Sequence, residues 1–407
     1  MAKREPLGVW LHGRRVAELT NPRLGDVRCR YTEEALDRWP RNTPLLSCSL
    51  PLGDRDLQAT SYFRGMLPEG QHLQALATAA RVPTYDTYGL IARFGRDVAG
   101  AAVISVDDPQ ERPGSALLYG EGQLAAEVSG LEDRPLAIYD DSELSIAGLQ
   151  SKMLLVATPE GWARPAGGRP STHILKVEDR RYPGLVTMEA ACLRLARAVG
   201  LTDVEARVET IADVDCIIVS RFDRIETPAG LERVHQEDAC QALGRDAEAQ
   251  RGAGKYERAG GPTLKEVAGL LDRYSVDGVG ELERHVAATV FTALIGNSDA
   301  HGKNVGLLHV APGQIQLAPL YDTVPTAIWP KLSDRAAMTV NGQVTLADVT
   351  HGDVVAEASR WPLDAGIASE AATRVAESLL DAASTEGIPE ELASLVQDRA
   401  ERFLSSS

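Results

Sequence analysis

The apolar positions of this chain fall into short strand-like runs at first and into helical spacing later. Val9 to Leu19 and Val27 to Tyr31 read as strands around turns. Thr32-Glu33-Glu34-Ala35-Leu36 reads as a helix start, with Thr32 as N-cap and acids in the first turn. Helical runs follow over His72 to Ala80 and Thr84 to Phe94, and Val98 to Val106 reads as a strand. Between them, Leu67-Pro68-Glu69-Gly70 has the chemistry of a turn before a helix. The polar, Pro-rich stretch Asp107 to Ser115 serves as a linker.

A second region begins beyond it. Leu144 to Lys152 is a small-residue loop, and the apolar strand Met153 to Ala157 follows. Thr172 to Val177 reads as a strand with Lys176 near its end. The helix Thr187 to Val199 is amphipathic, with Ala191, Leu193, Leu195 and Ala198 in register and Gly200 placed as its C-cap. Asp215 to Arg224 reads as a buried strand ending in a charged turn, and His235 to Gly244 opens a third region. Arg245 to Pro262, rich in Gly, Ala and charge, reads as a mobile loop. Thr263-Leu264-Lys265-Glu266 has the spacing of a capping box. Helices are then expected over Gly280 to Ile295, Pro362 to Ala382 and Pro389 to Leu404, with Ser405 to Ser407 as a frayed tail. The boundaries so read are 1–108, 109–250 and 251–407.

Composition narrows the classes. The chain has 407 residues, 44% hydrophobic and 25% charged, as ordinary globular proteins do. It shows no 18-residue apolar run and no signal-peptide core, so the expectation is a cytoplasmic protein without a membrane span. Five cysteines without a C-x-x-C pair point to small buried thiols, not to zinc or redox motifs. A net charge of −16 argues against autonomous binding of nucleic acid, which needs clustered Lys and Arg. Of 42 basic residues only seven are lysines, so a Lys marks a place where a compact ammonium is wanted. Lys152, Lys176 and Lys303 fall inside the segments that carry chemistry.

The densest of those segments is Gly296-Asn297-Ser298-Asp299-Ala300-His301-Gly302-Lys303-Asn304, which follows the apolar run Val290 to Ile295. Asp299 and Asn304 stand in the D-x-x-x-x-N spacing with which kinases place a base and a Mg²⁺ ligand. Asp322, in Leu317-Ala318-Pro319-Leu320-Tyr321-Asp322, is placed like a second metal-binding acid. Phosphoryl transfer needs positioning, oxygen ligands for Mg²⁺ and a base for the attacking hydroxyl. Asp299 fits the base, Asn304 and Asp322 the metal, Lys303 or His301 the γ-phosphate, and Lys176 the inner phosphates. Kinases pair the strand Lys with a helical Glu, for which Glu189 is a candidate. Taken singly, each has a bland reading: a turn, a packed imidazole, a solvent-facing strand Lys, surface ion pairs at Arg221, Asp223 and Arg224. Their order along the chain makes the kinase reading.

At these residues the chain resembles the HipA family of bacterial serine/threonine kinases, toxins of type II toxin–antitoxin modules. Phe63 to Gly70 and Leu90 to Gly100 resemble the family's N-terminal domain. Ser145 to Lys152, Thr172 to Lys176, Arg221 to Arg224, Gln236-Glu237-Asp238, Asp299 to Asn304 and Pro319 to Asp322 resemble its kinase part. The resemblance implies an α+β, two-lobed fold related to protein kinases and phosphatidylinositol kinases, with an N-terminal α/β domain and a largely helical C-terminal lobe. It implies ATP and Mg²⁺, with Asp299 catalytic and Asp322 binding metal beside Asn304. Ala147, Gly148, Leu149, Gln150, Ser151 and Lys152 would touch the phosphates, and Lys176 the nucleotide. Ser220, Arg221 and Phe222 would line the adenine, while His301, Gly302, Lys303, Asn304, Tyr321 and Asp322 would contact nucleotide or metal. Ser145 matches the loop serine that the family autophosphorylates; about −1.5 to −2 charge there would repel ATP and silence the enzyme. The implied partners are a helix-turn-helix antitoxin of the HipB type, operator DNA through that antitoxin, and an aminoacyl-tRNA synthetase as protein substrate. Ser220 departs from the acidic or basic residue expected before Arg-Phe-Asp-Arg, and Ser151 offers a second phosphorylation site.

Two other readings compete. A small-molecule phosphotransferase of the aminoglycoside type shares D-x-x-x-x-N, but the N-terminal domain and the Ser145 loop speak against it. A non-catalytic co-repressor scaffold would have no need of intact Asp299, Asn304, Asp322 and Lys176.

Overall fold

A computed structural model describes residues 4–131, 138, 142, 146, 150–228 and 230–406. Two compact units divide the chain: 1–179 with 209–237 and 309–313, and 180–208 with 238–308 and 314–407.

In the first unit, β1 (Leu7–Leu11), β2 (Arg14–Thr20), β3 (Arg28–Tyr31), β4 (Leu57–Gln58) and β5 (Val103–Ser105) form an antiparallel sheet in the order β4-β3-β2-β1-β5. His12 and Gly13 both take positive φ, 47° and 76°, the backbone twist that a two-residue hairpin turn needs. Thr32 caps the helix Glu33–Arg38 by accepting from the Ala35 N–H, as its sequence signature predicts. The helices Thr60–Gly65, Gly70–Ala80 and Thr87–Phe94 bury Tyr62, Phe63, Leu76, Leu90, Ile91 and Phe94 in one core with Leu7, Val9 and Leu19.

The strand expected over Val98 to Val106 shrinks to Val103–Ser105. Its first residues have other partners. The Val98 carbonyl accepts from the Arg221 and Arg224 guanidiniums, and the Gly100 N–H donates to the Asp223 carboxylate. Backbone groups committed to side chains do not join a sheet ladder.

A second sheet in this unit contains β6 (Ser115–Leu118), β7 (Lys152–Thr158), β8 (Gly161–Ala166), β9 (His173–Val177) and the strand Val214–Ser220. Their order is Val214–Ser220, β9, β7, β8, β6, all antiparallel. Met153, Leu155, Leu175, Val177, Cys216 and Ile218 fill one face with Val128 and Leu131.

Helices dominate the second unit. Leu185–Ala198 ends where Gly200 turns left-handed at φ +73°, as the sequence places it. Leu264–Tyr274 opens on the expected capping box, Thr263 and Glu266 exchanging hydrogen bonds. Gly278–Ile295 carries Val286, Val290, Phe291 and Leu294 into the core and packs against Ala365–Ala383 and Glu390–Ser405. A hairpin, Arg335–Val340 with Gln343–Thr345, and a helix, His351–Ala358, escaped the sequence reading.

Residues 245–262 run through a series of short turns. Gly254 N–H donates to Ala249 O, Gly261 N–H to Tyr256 O, and the Glu257 carboxylate accepts from Thr339 N and Oγ1 at 2.5 and 3.0 Å. The α+β expectation stands. None of the five cysteines forms a disulfide, and four are buried. Among the described residues no helix is long and apolar enough to cross a membrane.

Candidate active site

The helix Gly278–Ile295 delivers the loop that carries Asp299. It ends in a Schellman motif: Gly296 N–H donates to Ala293 O and Asn297 N–H to Thr292 O. Gly296 sits at φ +71°, and a Cβ there would lie 2.7 Å from the Ala327 Cβ, so glycine is required on two counts. The chain then folds tightly. Asn297 Oδ1 accepts from the Asp299 N–H at 3.0 Å, Asp299 O accepts from His301 N at 2.8 Å, and His301 O from Asn304 N at 2.8 Å. The Asn304 amide closes the loop by donating to the Asp299 carbonyl at 2.9 Å.

That closure sorts the side chains. Asp299 stays 53% exposed, while His301 and Lys303 are buried. Tyr256, from the Gly-rich segment, donates from its hydroxyl to Asp299 Oδ1 at 2.6 Å. Tyr321 Oη donates to the Lys303 carbonyl at 2.8 Å, tying the loop to the segment that carries Asp322. Asp322 holds a positive φ of 52°, a costly conformation for a non-glycine residue and one found at functional sites. Gly302 leaves no room: a Cβ would stand 2.5 Å from Pro262 Cγ and 2.8 Å from Cys240 Sγ.

With its Nδ2 spent on the Asp299 carbonyl, Asn304 has Oδ1 to offer. Asp322 brings a carboxylate. Hard oxygen donors of this kind suit Mg²⁺, which binds through one or two carboxylates and completes its shell with phosphate and water. The donor set therefore fits the metal that the motif implies.

The first unit holds the remaining predicted residues. Lys152 and Lys176 are directly opposite each other on β7 and β9, and both are buried, 4% and 6% exposed. Like charges directly opposite each other across a sheet are unfavourable unless other groups offset them. Burial, and then the field of Lys152, push the His72 imidazole down to about 4. Gln150 Nε2 donates to the Val177 carbonyl at 2.9 Å, fixing the approach to β7. Ser145, Ala147, Gly148 and Leu149 lie outside the described residues.

Arg221 has a larger structural engagement than its motif announces. Its guanidinium is buried, donating to Asp223 Oδ1 and Oδ2, Ser171 Oγ and the Val98 carbonyl. Arg224 binds Asp97 Oδ1 at 2.9 Å and Asp223 Oδ2 at 3.0 Å. Arg233 approaches Asp97 Oδ1 at 3.5 Å. Burial pushes the Asp97 and Asp223 carboxyls up, but the surrounding guanidiniums prevail and hold both below the usual range. Arg221, Asp223 and Arg224 are thus core ion pairs and not surface ones. Ser220 and Phe222 flank them on the same strand end. Glu237, in Gln236-Glu237-Asp238, is buried too and accepts from Ser47 Oγ, Cys48 N–H and His309 Nε2.

The predicted residues therefore assemble in two sets. Lys152, Lys176, Gln150, Ser151, Ser220, Arg221 and Phe222 belong to the first unit; Asp299, His301, Gly302, Lys303, Asn304, Tyr321 and Asp322 to the second. Glu189 is buried on the second unit's helix Leu185–Ala198. Asp97 and Tyr256 were missed by the sequence reading. The signal for Tyr256 was an aromatic beside one of the rare lysines, Lys255, in an otherwise Gly-rich stretch.

Comparison with known proteins gives these groups their context. Residues 7–105 match the HipA N-terminal domain and residues 144–386 the HipA-like C-terminal domain. The chain is 33% identical to "Putative kinase Y4mE" of Sinorhizobium fredii, over 98% of this chain and 94% of the relative. It is 31% identical to the serine/threonine-protein kinase toxin HipA of Shewanella oneidensis, over 77% of this chain and 73% of the relative. Among solved structures it matches the Shewanella oneidensis HipA, HipB and operator DNA complex with a TM-score of 0.79 and 25% identity, covering 98% of this chain and 97% of that one.

Proposed function

The chain belongs to the HipA family, and from that premise we propose that it is a Mg²⁺- and ATP-dependent serine/threonine protein kinase, the toxin of a toxin–antitoxin module. The observation that carries this reading is the closed loop Asp299 to Asn304, with a solvent-facing carboxylate and an amide whose free oxygen is left for a metal. Asp299 accepts the proton of the attacking hydroxyl. Asn304 and Asp322 hold Mg²⁺, which supplies charge neutralisation for the transferred phosphoryl group. Lys152 and Lys176 hold phosphate oxygens, assisted by Ala147 to Ser151. Lys303, His301, Gly302 and Tyr321 shape the reactive end, and Ser220 to Phe222 the adenine end, where the Arg221 side chain is committed to the core.

Ser145 is the autophosphorylation site in this reading, and its phosphate silences the kinase by repelling ATP. The partner is a basic helix-turn-helix antitoxin of the HipB type, attracted by the −16 charge and bringing operator DNA with it. The protein substrate is an aminoacyl-tRNA synthetase. The test is phosphate transfer from labelled ATP to a panel of purified aminoacyl-tRNA synthetases, with Asp299→Asn beside the wild type. Transfer to one synthetase by the wild type alone supports the reading. Transfer to none, with transfer to aminoglycosides instead, replaces it by the small-molecule alternative.

A further inference from the structure

The Tyr256 hydroxyl donates to Asp299 Oδ1 at 2.6 Å, a short hydrogen bond to an exposed carboxylate. We infer that Tyr256 is a positioning residue that aims Asp299 at the attacking hydroxyl. The inference rests on the reading of Asp299 as the base.

Three observations support it. The first is the problem the tether solves. Asp299 is 53% exposed, and a carboxylate in water samples several rotamers. A general base works only within about 2.6–3.2 Å of the proton it takes. Its Oδ1 is held by Tyr256, with His301 Nε2 at 3.7 Å. Oδ2 receives no hydrogen bond from the described residues and remains open to a substrate hydroxyl.

The second is the rigidity of the tether. The Tyr256 ring meets the His301 ring edge-on, with centroids 5.1 Å apart. The Arg258 guanidinium stands 4.4 Å from the Tyr256 centroid and the Lys255 ammonium 5.8 Å. These contacts hold the ring that carries the donating hydroxyl.

The third is backbone anchoring on either side of the ring. The Lys255 carbonyl accepts from the Gly302 N–H at 3.1 Å, so the tyrosine and the loop it serves share a backbone hydrogen bond. Glu257 is fixed to Thr339 N and Oγ1. The close fit of Gly302 under Pro262 seals the same segment onto the loop. The stretch reads in sequence as flexible, yet it is built as a bracket for Asp299.

The test is steady-state ADP release from Mg²⁺-ATP by the full chain, which scores transfer to any hydroxyl, water included. Wild type, Tyr256→Phe, Asp299→Asn and the double variant are compared, with ATP affinity from a fluorescent ATP analogue. Tyr256→Phe is expected to lose about tenfold or more in kcat, within the range a positioned base contributes, while KM and analogue binding stay within about twofold. In the Asp299→Asn background the same change is expected to add nothing, because the tether then has no base to aim. Wild-type kcat for Tyr256→Phe overturns the inference and leaves the base assignment standing. So does a loss confined to KM or binding, a loss of folding, or equal losses in both backgrounds. Wild-type turnover by Asp299→Asn removes the base assignment itself, and the tether with it.

Discussion

The side-chain amide of Asn304 donates to the backbone carbonyl of Asp299 at 2.9 Å, joining residues five apart in sequence. The D-x-x-x-x-N spacing is therefore a closed turn, in which the amide's donor sets the loop. Asn304→Asp keeps an oxygen for a metal but turns a carboxylate toward the Asp299 carbonyl. We predict that it loses ADP release as severely as Asn304→Ala, about 10²-fold for a misplaced reactive loop. Near-wild-type turnover by Asn304→Asp would show that the loop does not depend on this bond.

Lys152 and Lys176 make a separate case, because they face each other while buried. Lys176→Met is predicted to abolish the rise in Tm that Mg²⁺-ATP produces. At ATP a hundredfold above Kd, the wild type should gain about 2.7 kcal/mol. A full thermal shift in Lys176→Met would remove this lysine from the nucleotide site.

Asp97 is the buried acid on which Arg221, Arg224 and Arg233 converge. Asp97→Ala leaves guanidinium charge in the core without its counter-ion. We predict a loss of about 3–5 kcal/mol in urea unfolding, the usual cost of breaking a buried pair from one side. Asp398→Ala, which removes an exposed pair with Arg402, should leave the midpoint unmoved.

The same network sets an acid dependence. Burial opposes ionisation of Asp97 and Asp223, but the guanidiniums outweigh it, so both folded-state values lie below the unfolded one. A group depressed in this way contributes its full stability above the unfolded value, about 3.9 for Asp, and loses it as pH falls further. Urea midpoints should therefore decline below about pH 4, and decline less in Asp97→Ala. An equal acid slope in both proteins would place the acid sensitivity elsewhere.

How much of this was legible in the sequence follows from distance along the chain. The loop from Asp299 to Asn304 is local, so its spacing carried its geometry. Thr32, Gly200 and the Thr263–Glu266 box were legible for the same reason: caps use neighbours. Arg221-Phe222-Asp223-Arg224 was not legible. Its deciding partner, Asp97, lies 127 residues before Arg224, and a charged run looks the same on a surface or in a core. That partner also explains the misread strand at Val98 to Val106, whose apolar side chains met expectation while its backbone bonded elsewhere. For Arg245 to Pro262 the composition pointed to a loop but not to its course, in which Gly260 turns left-handed and Gly261 sits against the Lys255 backbone. The chain's returns to the first unit at 209–237 and 309–313 have no local signature at all.

The central claim is that this chain transfers phosphate with Asp299 as base, and intact mass before and after Mg²⁺-ATP tests it most directly. The account predicts one added phosphate on the wild type, mapped to Ser145, and none on Asp299→Asn. Phosphate on both proteins would contradict the assignment of Asp299. Phosphate on neither, with ATP bound, would favour a co-repressor scaffold over a kinase.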